Sequence, residues 1–198
     1  MTKSAFAGRL ALPLAIAILG FGCGDDGPPA AGAPSSQSPA VATCPAAWAD
    51  DWQAWADRIG AKVFCPSFLP SPITGEIDGQ WNTAKAPGKV WQLGYAWLEH
   101  DDLVHVVFEG YPEKRWPPDC EGMPCFADKV GTERIGSHEV TWYDRNEASH
   151  SGHVAAVFHD SGYVYVVSMH VYRPYDSRQQ VTGLVRRMVA GLVPLEPR

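Results

Sequence analysis

Four large apolar residues near the start of the folded region are spaced four, three and four positions apart, which places them on one face of a helix. They are Trp48, Trp52, Trp55 and Ile59. The pattern predicts a helix over about residues 46–59, with Pro45 suited to a first turn and Gly60 to a stop. Because such a face usually packs on a sheet, we expect the tryptophans in the core rather than on a sugar-binding or membrane-binding surface.

Alternating apolar and polar positions predict several strands, over residues 62–65, 90–98, 103–109 and 140–143. In the second of these, four bulky residues fall on one face, namely Trp91, Leu93, Tyr95 and Trp97. Residues 111–129 read as a proline-rich loop, and residues 135–138 as a bend.

The clearest prediction is a hairpin over residues 153–171, because the pair Ser161-Gly162 is turn chemistry between two β-rich runs. A two-residue turn there makes residues whose numbers add to 323 face each other, so His153 faces His170. One face then carries the bulky core residues Val154, Ala156, Phe158, Tyr163, Tyr165, Val167 and Met169.

The chain closes with a predicted amphipathic helix that begins at a Ser177–Gln180 capping-box pattern and runs on to Leu192, before Pro194. The order of elements is helix, several antiparallel strands, helix. We therefore expect an α+β fold in which a curved antiparallel sheet carries an N-terminal and a C-terminal amphipathic helix.

The first 22 residues have the pattern of a secretory signal. Lys3 and Arg9 precede an apolar run of about a dozen residues, whereas a membrane span needs roughly 20. The run ends in Gly22-Cys23, which resembles the lipobox of bacterial lipoproteins. The resemblance implies cleavage before Cys23 and acylation of this residue. The alternative is an ordinary signal that leaves a spare thiol, because Gly20 stands where the lipobox has Leu.

Residues 23–42 follow as a tether of Gly, Pro, Ala and Ser, which cannot bury enough apolar surface to order itself. Residues 43–198 then form one predicted globular domain. The full chain has 16 basic and 22 acidic residues, and removal of Lys3 and Arg9 with the signal leaves a formal charge of −8. This acidic balance, without a Lys/Arg cluster, argues against nucleic acid as a partner.

Four further cysteines remain when Cys23 is set aside, and an even number in an exported chain implies disulfides. We favour Cys44–Cys65 and Cys120–Cys125 among the three possible pairings. The alternative is a zinc site formed by the four thiolates, although the spacing lacks close Cys-x-x-Cys pairs.

A second resemblance rests on KVFCPSFLP and on the later run GHVAAVFHDSGYVYVVS. The residues that carry it are Phe64, Pro66, Leu69 and Pro70. They resemble the element at the start of small sensor-type domains, which occur in bacterial lipoproteins and beside anti-sigma factors. The resemblance implies a curved antiparallel sheet over much of residues 62–192, and it transfers no catalytic residue.

Histidines supply the most specific chemistry. His153 and His170 face each other in the predicted hairpin, and a third ligand such as His150 or Glu147 would complete a zinc or copper site. The alternative is a solvated face on which histidines happen to fall. No nucleophile motif, catalytic residue or cofactor motif is found.

We therefore expect a lipid-anchored protein on the extracytoplasmic side of the cell membrane or outer membrane. Its partners would be the membrane, through the lipid on Cys23, and an envelope ligand or protein bound without catalysis. Exposed aromatic residues such as Trp81, Trp116 or Tyr172 would serve that binding. The alternatives are an envelope metal-binding protein that uses the hairpin histidines, and a hydrolase with an unrecognised site.

Overall fold

The computed structural model describes residues 41–75, 83–84, 90–120, 123–126, 128–145 and 152–198. The signal peptide, Cys23, most of the tether, Trp81 and His150 lie outside this part of the chain. No helix among the described residues is long and apolar enough to cross a membrane.

Two helices and eleven strands make up the described fold, which confirms the α+β class. The helices are α1 (Ala49–Ile59) and α2 (Arg178–Ala190). The strands are β1 (Val63–Pro66), β2 (Thr83–Ala84), β3 (Trp91–Glu99), β4 (Asp102–Pro112), β5 (Asp119–Cys120), β6 (Met123–Pro124), β7 (Asp128–Ile135), β8 (His138–Arg145), β9 (His153–Asp160), β10 (Tyr163–His170) and β11 (Leu192–Leu195).

Within the described ranges, seven strands form one antiparallel sheet in the order β2-β3-β4-β10-β9-β8-β7. Two small sheets, β1-β11 and β5-β6, accompany it. All neighbours in this sheet are consecutive strands except β4 and β10, whose pairing joins residues more than about 50 positions apart in the sequence.

One face of the large sheet carries the main core. Trp52 of α1 contacts the rings of Trp91 and Phe108 and donates a 2.7 Å hydrogen bond from Nε1 to the hydroxyl of Tyr95. Phe64 of β1 contacts the rings of Phe158 and Tyr165, and α2 packs on β9 and β10. The predicted core face of the tryptophan helix and that of the hairpin are both confirmed.

The hairpin register is also confirmed, because Tyr163 pairs with Asp160 and His170 with His153. Ser161 and Gly162 both have positive φ, 51° and 77°, as a type I′ two-residue turn requires. Gly60 ends α1 in the left-handed conformation, with φ 68°, as predicted.

Four sequence predictions were wrong in detail. The first helix begins at Ala49 rather than 46, after a turn. The last helix ends at Ala190, and residues 192–195 form β11, whose apolar residues pair with β1. Ser177 is the N-cap of α2, but its side chain makes no capping hydrogen bond. Strand β7 was missed: its first two residues fall in the predicted loop and its last, Ile135, in the predicted bend, because this edge strand is mostly exposed and has few apolar residues.

A disulfide joins Cys44 to Cys65, with 5.7 Å between the Cα atoms, which confirms this predicted pair. The bond removes two of the four thiolates that the alternative zinc site would need. Cys125 is also disulfide-bonded. The side chain of Cys120 lies outside the described part of the structure, so the Cys120–Cys125 pairing stays a prediction.

Candidate metal centre

Three histidines lie in one row across the centre of the large sheet, on the face opposite the main core. His105 is on β4, His170 ends β10, and His153 begins β9. His153 and His170 are opposite each other, and the β4–β10 register, which pairs Met169 with Val106, brings His105 next to His170. Antiparallel pairing therefore gathers three residues that are far apart in sequence.

The three imidazoles converge. His105 and His153 are on strands two positions apart, about 9.5 Å across the sheet, yet their ring centroids are only 5.1 Å apart. The centroid of His170 is 4.9 Å from that of His153 and 5.8 Å from that of His105. One ring nitrogen from each residue can be chosen so that all three nitrogens lie within 4.8 Å of one another.

This spacing is close to what a metal ion needs. Nitrogen ligands at 2.0–2.1 Å in a tetrahedral zinc site are about 3.3 Å apart. Rotations of the side chains that shorten the longest nitrogen separation by about 1.5 Å would bring the three imidazoles onto one ion. Among the described residues, no other group of three His, Cys, Asp or Glu side chains meets this geometry.

The site is buried, and this finding contradicts the alternative of a solvated histidine face. His153 is 3% exposed, His170 is 9% exposed and His105 is partly buried. On the solvent side, the ring of Tyr172 stacks on His170 with 5.8 Å between centroids, and Tyr172 is 39% exposed. The aromatic ring thus covers one side of His170.

Other polar groups on the same face are separate from the triad. Glu109 is buried and accepts a 3.1 Å hydrogen bond from Nε2 of Gln92. It is four residues beyond His105 on β4, roughly 13 Å along the strand, and is too far away to share an ion. Ser168 is nearer, two residues before His170, and its buried hydroxyl has no hydrogen-bond partner within the described residues.

Sequence reasoning brought together two of the three histidines and missed His105. His105 joins the other two through the pairing of β4 with β10. In that register the numbers of paired residues add to 275, as 105 and 170 do. His150, the third ligand suggested by the sequence, lies outside the described residues, so its role stays a prediction. Among the suggested binding aromatics, Trp116 packs partly buried against Tyr111 and Phe126, whereas Tyr172 is exposed.

Comparisons with protein-family models, with curated proteins and with solved structures find no match to this chain.

Proposed function

We propose that the protein is a lipid-anchored cell-envelope protein whose sheet binds a divalent transition metal through His105, His153 and His170. The convergence of three buried imidazoles within 4.8 Å carries this proposal. A metal ion at this position would use all three imidazoles as ligands.

The ligand set favours zinc or copper. Neutral imidazole suits Zn²⁺, Cu²⁺ and Ni²⁺, whereas Ca²⁺ and Mg²⁺ prefer oxygen ligands. The formal charge of −6 for the chain also favours accumulation of cations near its surface. Three protein ligands leave a coordination position for water or another ligand. An open position of this kind keeps a metal-dependent hydrolase as a second candidate.

Metal analysis of the full-length protein, purified in detergent, tests the proposal. After dialysis against zinc and then against buffer, wild type should retain one zinc per chain. His153→Ala and His170→Ala should each bind zinc at least tenfold more weakly, because ligand removal leaves only two imidazoles. His159→Ala is the matched control. His159 is on β9, as His153 is, but it is exposed, and its Nδ1 lies 3.3 Å from Oε1 of Glu113. Equal retention by all variants would contradict the proposal.

The anchor is a separate part of the proposal. It is supported by the positive amino terminus, the short apolar run, the Gly22-Cys23 pair and the tether of residues 23–42. Two acyl chains on Cys23 would hold the protein stably at a membrane, with the two amphipathic helices and the curved sheet displayed outside the cytoplasm. Wild type should incorporate labelled fatty acid and Cys23→Ala should not. Equal labelling of both proteins, or no labelling of either, would contradict acylation at Cys23 and leave only secretion.

A further inference from the structure

A cleft of about 260 Å³ opens between helix α2 and the outer strands β7 and β8. It lies on the main-core face of the sheet, opposite the histidines. Its wall is mostly apolar and includes Val130, Trp142 and Val154. Pockets for drug-sized ligands have volumes of about 300–1,000 Å³, so this cleft suits a smaller molecule.

One end of the cleft is lined by three side chains that bond one another. Oε1 of Glu133 accepts a 2.7 Å hydrogen bond from Nε1 of Trp142 and contacts Nε and Nη2 of Arg186 at 3.0 and 2.8 Å. The guanidinium of Arg186 also lies over the Trp142 ring, 5.6 Å from its centroid. The hydrogen bond from Arg186 lowers the pKa of Glu133, which keeps this carboxylate charged. One oxygen of Glu133 therefore holds both Trp142 and Arg186 at this end.

At the other end, Arg178 and Asp144 form an ion pair whose remaining hydrogen-bonding groups can contact a ligand. Nη1 of Arg178 bonds Oδ1 of Asp144, and no other hydrogen bond to either side chain is found among the described residues. The two side chains are 47% and 34% exposed, so a ligand can reach both. Arg178 is also the first residue of α2, where the helix dipole favours negative charge. This end offers a positive and a negative group side by side.

The charges decide which class of ligand fits. A simple anion would meet Arg178 but would bring a second negative charge to Asp144. A simple cation would have the reverse problem at Arg178. A zwitterion with both charges at one end avoids this conflict, because its carboxylate can bond Arg178 while its ammonium bonds Asp144. The apolar wall at Trp142 and Val130 would then receive an uncharged, hydrophobic body.

We propose that this cleft binds a free α-amino acid with an apolar or aromatic side chain. An α-amino acid carries its carboxylate and its ammonium on one carbon, as the adjacent Arg178 and Asp144 require. Bidentate bonding to a guanidinium adds geometric specificity for the carboxylate. This site shares no side chain with the histidine triad and does not depend on the metal.

Isothermal titration of the full-length protein in detergent tests the inference with three probes. The probes are phenylalanine, phenylpropanoate, which lacks the ammonium, and phenethylamine, which lacks the carboxylate. Phenylalanine should bind, and each analogue should bind about 10- to 100-fold more weakly, since each loses a charge-assisted hydrogen bond. No binding of phenylalanine, or equal binding of phenylpropanoate, would overturn the inference.

Two variants locate the binding. Arg178→Gln and Asp144→Asn should each weaken phenylalanine binding by the same factor of about 10 to 100. Arg187→Gln is the matched control on the same helix, because the Arg187 guanidinium lies 3.7 Å from the ring centroid of Phe68 and does not line the cleft. Binding that survives Arg178→Gln, or that is lost equally in Arg187→Gln, would refute the site.

Discussion

A strand glycine packed against a buried tryptophan ring gives a sharp stability prediction. Gly110 of β4 is paired with Trp91 of β3. A Cβ atom added at Gly110 would lie 2.0 Å from Nε1 and 2.3 Å from Cε2 of Trp91, distances at which something must move. Trp91 is 1% exposed and its ring contacts Trp52 and Tyr165, so the ring has no open space to enter.

We therefore expect Gly110→Ala to lower the free energy of unfolding by about 3 kcal/mol, at the upper end of the usual cost of overpacking a core. Alanine loses less backbone entropy on folding than glycine does, and this advantage of roughly 0.5–1 kcal/mol offsets only part of the strain. For a domain of this size the change corresponds to a fall of about 6–12 °C in Tm.

Gly131→Ala is the matched control, because Gly131 is also a strand glycine paired with a tryptophan, Trp142. No atom lies within 4 Å of a Cβ added there, so the free energy of unfolding should change by less than about 0.5 kcal/mol. Urea unfolding followed by tryptophan fluorescence measures both variants, with equal m-values as the sign that the same transition is compared. Equal stability of the two variants would refute the packing of Trp91 on Gly110.

Three further predictions concern the disulfide, the metal and pH. Cys44→Ala/Cys65→Ala should lower the free energy of unfolding by about 3 kcal/mol, because the bond closes a loop over a separation of 21 residues; unchanged urea midpoints would contradict this. Zinc at 100 times its Kd should raise the free energy of unfolding by about 2.7 kcal/mol, seen as a higher Tm in wild type and His159→Ala but not in His170→Ala. Burial lowers the pKa of His138 below its usual 6.5; Asp160 raises this pKa by a smaller amount, and Lys62 lowers it further. The unfolded chain therefore takes up this proton first, and stability should fall as pH drops below about 6.5; His138→Gln, measured without metal, should lose less than wild type over that range.

Local patterns predicted the elements that local chemistry determines. The hairpin register followed from Ser161-Gly162, where positive φ at both residues fixes a two-residue turn, and from the period-two alternation on either side. The helix face of Trp52 and Trp55 followed from spacing alone. Strand β11 was missed because its apolar residues continue the helical pattern of α2, and only pairing with β1 distinguishes the two structures.

The candidate site marks the limit of the same reasoning. His153 and His170 are joined by a short turn, so their proximity follows from one local register. His105 reaches them only through the pairing of β4 with β10, strands separated by about 50 residues, for which the sequence carries no local signal.

The two proposed sites use opposite faces of one strand, and this arrangement makes them separable by experiment. Val154 lines the cleft, and the preceding residue of β9, His153, belongs to the metal centre. Successive side chains of a strand point to opposite faces, and β9 is held by hydrogen bonds to both β8 and β10. A change of one side chain should therefore alter one site only. His153→Ala should lose zinc and bind phenylalanine as wild type does, whereas Arg178→Gln should lose phenylalanine and retain zinc. Loss of both ligands in either variant would show that the sites are coupled through β9 or that the variant has unfolded, and a urea transition at the wild-type midpoint would identify coupling as the cause.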